Sequence, residues 1–241
     1  MKSFKILIAT IILTLGFPIS SLYAEEPEVS GSASVGFFSN YVWRGIQVHE
    51  DVAVQPTVGI TYGGFGANLW ADYNTDTNEH VETDLTLNYA FSVDKLSLDA
   101  GYIYYALDGA DDTQELYIAA SYDVLLSPSF TIYWDFDEGD GGFITASIGH
   151  DVELVKDIAL SIGASVSYNL DNEYSHGDFS DFYNGEISAS VSIPVWKAIS
   201  IEPMIAYSFP LSNDAEDAIE GLSDGEDSSV VYGGATLSLS F

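Results

Sequence analysis

Residues 158–170 read Ile158-Ala159-Leu160-Ser161-Ile162-Gly163-Ala164-Ser165-Val166-Ser167-Tyr168-Asn169-Leu170. Every even position is apolar or aromatic, and the odd positions carry only Ala, Ser, Gly and Asn. That is the period of two of a strand with two unlike faces, not the 3.6 of a helix. The same alternation runs upstream through 52–62, 65–73, 81–91, 96–106, 116–124, 130–136 and 144–152. Downstream it runs through 183–195, 199–209 and 231–241, and a weaker Gly/Ser-rich version spans 29–38. Together these predict twelve strands. Most are about 9–12 residues long, close to the about 9–11 residues with which a tilted strand crosses a bilayer.

A soluble β-sandwich also alternates, so three further features are needed. The polar face is built of Gly, Ser, Ala, Thr, Asn and a few carboxylates rather than of Lys, Glu and Arg. That composition suits the crowded interior of a closed barrel. The connections alternate in length. Gly63–Gly64, Val93–Lys95, Leu125–Pro128, Glu153–Asp157 and Trp196–Lys197 are tight turns. Between them lie longer acidic stretches near 40–51, 74–80, 107–113, 137–142, 171–182 and 210–229. Short periplasmic turns alternating with long outer loops mark an outer-membrane barrel, and an even strand count leaves both termini on the periplasmic side. Aromatics also gather at strand ends. Tyr62, Phe65, Phe91, Tyr122, Phe130, Trp196 and Phe241 fall near the tight turns; Tyr73, Tyr104, Trp134, Phe136, Phe143 and Tyr168 fall toward the loops. Two girdles are what the two bilayer interfaces prefer. The predicted fold is an all-β, up-and-down antiparallel transmembrane barrel of about 12 strands.

Lys2 and Lys5, the apolar run Ile6–Phe17, then Pro18, Ser20 and Ala24 ahead of Glu25 read as a cleaved secretory signal over 1–24. The run is shorter than the roughly 20 residues of a spanning helix, the alternative reading. The predicted barrel domain is 25–241. The chain of 241 residues carries 6 Lys+Arg against 37 Asp+Glu. Nucleic acid is excluded as a partner, because neutralising phosphates requires clustered cations. Aromatic and apolar content of 14% and 47% excludes a disordered acidic chain. With no Cys there is no disulfide framework, no thiolate metal site and no lipidated Cys. A mean hydropathy of +0.13 is too low for a helical bundle but ordinary for a barrel, in which alternate residues face lipid. The expected partners are outer-membrane lipid and small cationic or neutral solutes.

The strand parities place Glu82, Asp84, Asp99, Glu115, Asp123, Asp135, Glu186 and Glu202 on the inward face, where no strand position carries Lys or Arg. Such a lumen attracts cations, as acidic rings do in cation channels; alternatively these groups only hydrogen-bond to Tyr and Ser. Lys95, Lys156 and Lys197 sit in tight turns, which leaves Arg44, in Tyr41-Val42-Trp43-Arg44-Gly45, as the one basic residue at the loop end. Its planar fork can clamp a carboxylate, either as a constriction residue or as a loop clamp, with Gly45 permitting a sharp exit and Trp43 anchoring at the interface. His49, His80 and His176 fall in loop regions without close spacing, and no metal is expected. No cofactor and no enzyme signature is read. The carboxylates of Asp135–Gly142 do not follow an EF-hand. The acidic run from Asp214 to Asp227 is either solvated or folded in to narrow the mouth.

The stretch FFSNYVWRGIQVHEDVAVQPTVGITYGGFGANLWADY, 37–73, resembles the opening of the TorF-type porins, through Phe38, Ser39, Asn40, Tyr41, Arg44, Gly45, Ala53, Gln55 and Trp70. LSLDAGYIYY and ELYIAASYD are also similar to that family, and the likeness runs from about Gly36 onward. It departs at Val52–Ala53, where the family often has Pro-Ala. The resemblance implies an exported barrel and a channel, and brings no substrate. Phe241 resembles the C-terminal aromatic that the outer-membrane insertion machinery reads. The function expected is passive diffusion of small solutes with a preference for cations. The alternative is a non-conducting barrel with a structural or surface-binding role through its acidic loops.

Overall fold

A computed structural model describes residues 28–241; the expected signal and its cleavage point lie outside the described residues. In chain order the strands are β1 (Val29–Phe38), β2 (Tyr41–Trp43), β3 (Ile46–His49), β4 (Ala53–Tyr62), β5 (Phe65–Asn74), β6 (Glu79–Val93) and β7 (Leu96–Leu107). They continue as β8 (Thr113–Tyr122), β9 (Ser129–Asp135), β10 (Gly142–Val155), β11 (Ile158–Leu170), β12 (Ser180–Trp196), β13 (Ile199–Pro210) and β14 (Val230–Ser240). Helix α1 (Glu173–His176) lies between β11 and β12, and helix α2 (Asn213–Leu222) between β13 and β14.

Twelve of these strands close into a barrel in which each pairs with its sequence neighbour and β1 closes on β14. Every pairing is antiparallel, and the seam runs from Ser32 opposite Ser240 to Phe38 opposite Gly234. Closure satisfies the backbone of both edges at once, which is the condition for placing a sheet in lipid. The alternation read from sequence becomes an apolar outer face. Ile60, Leu69, Leu87, Leu116, Ile118, Ile132, Ile162, Ile187, Ile205 and Leu237 are all exposed on it. In water this surface would be an aggregation hazard; against acyl chains it is the stabilising one. Of the aromatics assigned to girdles, Tyr62, Phe65, Phe91, Tyr122, Phe130, Tyr73, Trp134, Phe136, Trp196 and Phe241 are exposed.

The structure departs from the sequence reading in four places. Phe143 is not in a girdle: it points inward and is 1% exposed. Trp43 does not anchor at an interface, because its ring packs inside against Tyr105 and His176. The stretch 40–51 is not an outer loop but carries the β2–β3 hairpin, whose tip lies within the barrel. Strand β8 ends at Tyr122, so Asp123 is an exposed residue of the following turn rather than a wall residue of the lumen.

Helices α1 and α2 cap the same end. Asn172 caps α1 by accepting from the Ser175 N–H, and Ser212 caps α2 by accepting from the Ala215 N–H. These are the side-chain acceptors that helix N-termini require. Asp214 and Glu216 in the first turn of α2 suit its positive end. Ala215 and Ile219 form the face of α2 that packs down onto Ile46, Phe143 and Tyr183.

Candidate functional site: the lumen and its hairpin

The hairpin turns through Arg44 and Gly45, with Trp43 paired to Ile46 across them. Both turn residues have positive φ, 50° and 91°. A two-residue hairpin of that hand demands positive φ at both positions. Gly45 adopts it freely, and its missing side chain matters too, because a Cβ there would come within 3.1 Å of Asn184 on β12. Arg44, as a non-glycine residue in the left-handed region, carries strain that its contacts must offset.

Those contacts are extensive. The guanidinium donates from Nη1 to Glu115 Oε1 and from Nη2 to Glu115 Oε2, both at 2.7 Å. Tyr105 donates a further bond to Glu115 Oε2 at 2.8 Å. The guanidinium carbon lies 4.2, 4.6 and 4.7 Å from the ring centres of Tyr133, Trp43 and Phe143. Burial works against the Arg44 charge, but the Glu115 carboxylate outweighs it and holds the group above its ordinary pKa. A fork-on-fork pair flanked by aromatic faces is a geometry open to Arg and not to Lys.

The flank of the hairpin is fixed by His49. Its Nε2 lies 2.8 Å from Asp72 Oδ2, and its Nδ1 lies 3.0 Å from the Asp51 carbonyl. A carbonyl and a carboxylate can only accept, so both ring nitrogens must carry protons. Burial lowers the pKa of His49, and the Asp72 and Asp51 contacts outweigh it, so the net shift is upward. Gln47 ties the hairpin to the segment after α2: its backbone N–H donates to Ser223 and its side chain to the Asp224 carbonyl.

His176 at the end of α1 has opposite surroundings. It stacks on Phe143 at 4.3 Å and meets Trp43 and Tyr183 at 5.0 Å. Neither ring nitrogen has a hydrogen-bond partner. Burial, assisted by the nearby Arg44 charge, holds its pKa well below the ordinary value, so the ring is neutral.

The inward carboxylates fall into three groups. Glu82 accepts from Tyr41, Glu115 from Arg44 and Tyr105, and Asp135 from Thr113, all around the hairpin. Asp84 lies among them with Oδ1 buried and unpartnered. Asp99 accepts from Asn88 and Tyr117, and Glu186 from Tyr232, lower on the wall. Glu202, opposite Thr236 on β14, and Asp123 are exposed toward the tight-turn end. Asp72 was missed from sequence, although it shares the parity of Asn68 and Trp70 on β5. The lumen aromatics Trp43, Trp70, Tyr105, Tyr133, Phe143, Tyr183 and Tyr232 were missed as a group, because aromatics on a strand read first as girdle.

The hairpin does not fill the lumen evenly. It leans on the β8–β12 side, where Arg44 reaches Glu115 and where Ile46, Phe143 and Tyr183 form one buried cluster. On the other side a cavity of about 290 Å³ remains, bounded by Tyr41, Trp43, Gln55, Trp70, Asp84 and Tyr232 among others. Among the described residues, the basic side chains other than Arg44 are Lys95, Lys156 and Lys197, all in exposed turns.

Solved structures with a similar architecture include two porins and an outer-membrane channel. The KdgM porin, 13% identical, superposes with a TM-score of 0.57 over 88% of this chain and 99% of its own. An outer-membrane channel from Pseudomonas putida, 10% identical, gives 0.53 over 93% and 99%. The NanC porin, 15% identical, gives 0.50 over 88% and 98%. At these identities the likeness establishes the barrel fold. No curated protein matches the sequence. The TorF-type resemblance is not repeated by these matches. The profile of Gcw_chp, described as a bacterial protein of unknown function, matches residues 24–195, well over half of the sequence, and the chain belongs to that family.

Proposed function

We propose that this protein is an outer-membrane diffusion channel for small solutes that prefers cations. Residues 1–24 would act as an export signal, and Phe241 would present the terminal aromatic to the insertion machinery. The observation that carries the reading is the charge of the lumen. Its cations, Arg44 and His49, are each engaged by a carboxylate. Asp99, Glu186 and Glu202 remain without a basic partner on the inward face. A low-dielectric wall focuses that field and raises the local concentration of counter-ions. The eccentric seat of the hairpin supports a passage narrowed rather than sealed, on the side of the Asp84 cavity. One structure of the KdgM porin is in complex with disordered oligogalacturonate; an acidic chain of that kind would be repelled by the present lumen.

The test is a planar-bilayer recording across a KCl gradient. A reversal potential of the cation-selective sign is expected, moving toward zero when Asp99, Glu186 and Glu202 are replaced by Asn or Gln. A second reading, a non-conducting barrel acting through its loops, draws on the buried cluster of Ile46, Phe143, Tyr183, Ala215 and Ile219 in the mouth. A silent barrel would favour that reading, and an anion-selective one would contradict both the sign and its cause.

A further inference from the structure

The cavity of about 290 Å³ beside the hairpin is walled by aromatic rings. Tyr41 and Trp70 stand with ring centres 5.4 Å apart, and Trp43 and Tyr232 border it as well. Its volume is near the lower end of the about 300–1,000 Å³ of ligand pockets, which leaves room for one small ring and not for a chain of them.

Polar atoms are left free between these rings. The Gln55 amide donates to Asp72 Oδ1 at 3.0 Å, and the Asn40 amide donates to Gln47 Oε1 at 2.8 Å. Among the described residues nothing donates to the side-chain carbonyl of either, and nothing accepts from the indole N–H of Trp70 or Trp43. None of these four atoms is closed off from a ligand. Buried polar groups are ordinarily satisfied, so those still accessible and unpaired are the ones a ligand can use. Here two accept and two donate, and a hydroxyl answers both kinds because it gives and takes at one atom.

Full charge is not on offer. Arg44 is paired with Glu115 and His49 with Asp72. Asp84 borders the cavity, but its Oδ1 is closed off, and it shares a face with Glu82, where two carboxylates resist ionising together. A cation therefore meets no uncompensated anion. An apolar ring would desolvate the amides without replacing their bonds to water. Toward the tight-turn end the same wall continues in hydroxyls and amides, with Ser34 opposite Thr57 and Asn68 opposite Thr86.

We propose that this cavity binds one neutral sugar ring, its C–H face on the Trp70 and Tyr41 rings and its hydroxyls on the Gln55 and Asn40 carbonyls and the indole N–H groups. The site rests on the channel reading for the sugar's passage and adds to it a class of neutral solute, but binding itself requires no through-passage.

The test is calorimetric titration of the whole barrel, folded in lauryldimethylamine oxide so that no sugar headgroup competes. D-glucose, D-galactose and D-mannose are titrated in turn. Cyclohexanol, sodium D-glucuronate and tetramethylammonium chloride are the controls, at constant ionic strength. Saturable binding of at least one hexose is expected, at least about tenfold tighter than that of any control. Trp70→Leu removes the flat face and Gln55→Leu the carbonyl, and each should weaken binding by at least about tenfold. Absence of saturable hexose binding, a control bound as tightly, or an unchanged affinity in either variant would overturn the proposal. The wild-type comparison decides even if the variants fail to fold. Bilayer recordings on the same preparation separate the two readings. Cation selectivity without hexose binding would remove the site alone, whereas hexose binding by a silent barrel would remove the channel alone.

Discussion

At the scale of single residues the lumen is governed by one ion pair. Arg44 is a strained residue in a left-handed turn, held by two charge-assisted bonds to a Glu115 side chain that is only 2% exposed. Removing one member of a buried pair strands the other, at a cost of about 3–5 kcal/mol, whereas replacing both with apolar groups is often neutral. Arg44→Ala is therefore expected to lower the unfolding free energy by about that amount, and Arg44→Leu with Glu115→Leu to recover most of the loss. Denaturant unfolding of the barrel in micelles measures both; a double variant as unstable as the single one would show that the aromatic faces, not the pair, hold the turn. Arg44 itself was legible in sequence, as the one basic residue among acidic loops. Its partner was legible only as one of many inward carboxylates, since which strand the hairpin tip reaches is set by how the barrel curves.

At the scale of elements, the strands and the hairpin differ in how far sequence discloses them. The barrel strands are legible because lipid and lumen impose opposite demands on alternate residues, so each strand, such as β11, states its two faces. The β2–β3 hairpin has no such contrast: Tyr41, Ile46, Gln47 and His49 are all buried, polar and apolar alike. In sequence the stretch reads as an outer loop, and its one local cue is Gly45, which permits a sharp bend after Arg44. Helix α2 was hidden by its own charge, since Ala215 and Ile219 alone mark a buried face amid Asp214, Glu216, Asp217 and Glu220. The docking of the hairpin carries a pH dependence that follows from His49. Its pKa is raised on folding, so its contribution is complete below the unfolded value of about 6.5 and is lost as pH rises through the folded value. The wild type should thus unfold at higher temperature than His49→Gln at pH 6, with the gap closing as the pH is raised into the alkaline range. A gap that widens with pH would mean that His49 is docked as the neutral ring.

At the scale of the whole molecule, stability depends on closure. A barrel in lipid gains little from its outer face relative to other membrane-bound states, and its order comes from the ladder being complete. The seam is the place where this is decided, because β1 and β14 are the first and last strands in sequence and become neighbours only when the barrel closes. It is also unusually tight. A Cβ on Gly234 would lie 2.0 Å from the Phe37 carbonyl oxygen and 2.7 Å from the Phe38 Cα, both backbone atoms of the opposing strand. No rotamer change relieves a clash with backbone, so a side chain there must push the strands apart. Lost ladder bonds at a seam expose unpaired N–H and C=O groups to hydrocarbon, at several kcal/mol each. A closed barrel is expected to resist SDS until boiled and to migrate differently from the boiled chain on electrophoresis, and Gly234→Val is accordingly expected to abolish that form. Gly221→Ala serves as the control. It lies in α2, where an added Cβ meets nothing within 4 Å, so it should leave migration unchanged. If Gly234→Val retained heat-modifiable migration, closure would have to tolerate a displaced seam. The terminal bonds between Gly31 and Phe241, 2.7 and 2.9 Å long, would then be the contacts holding the two edges together.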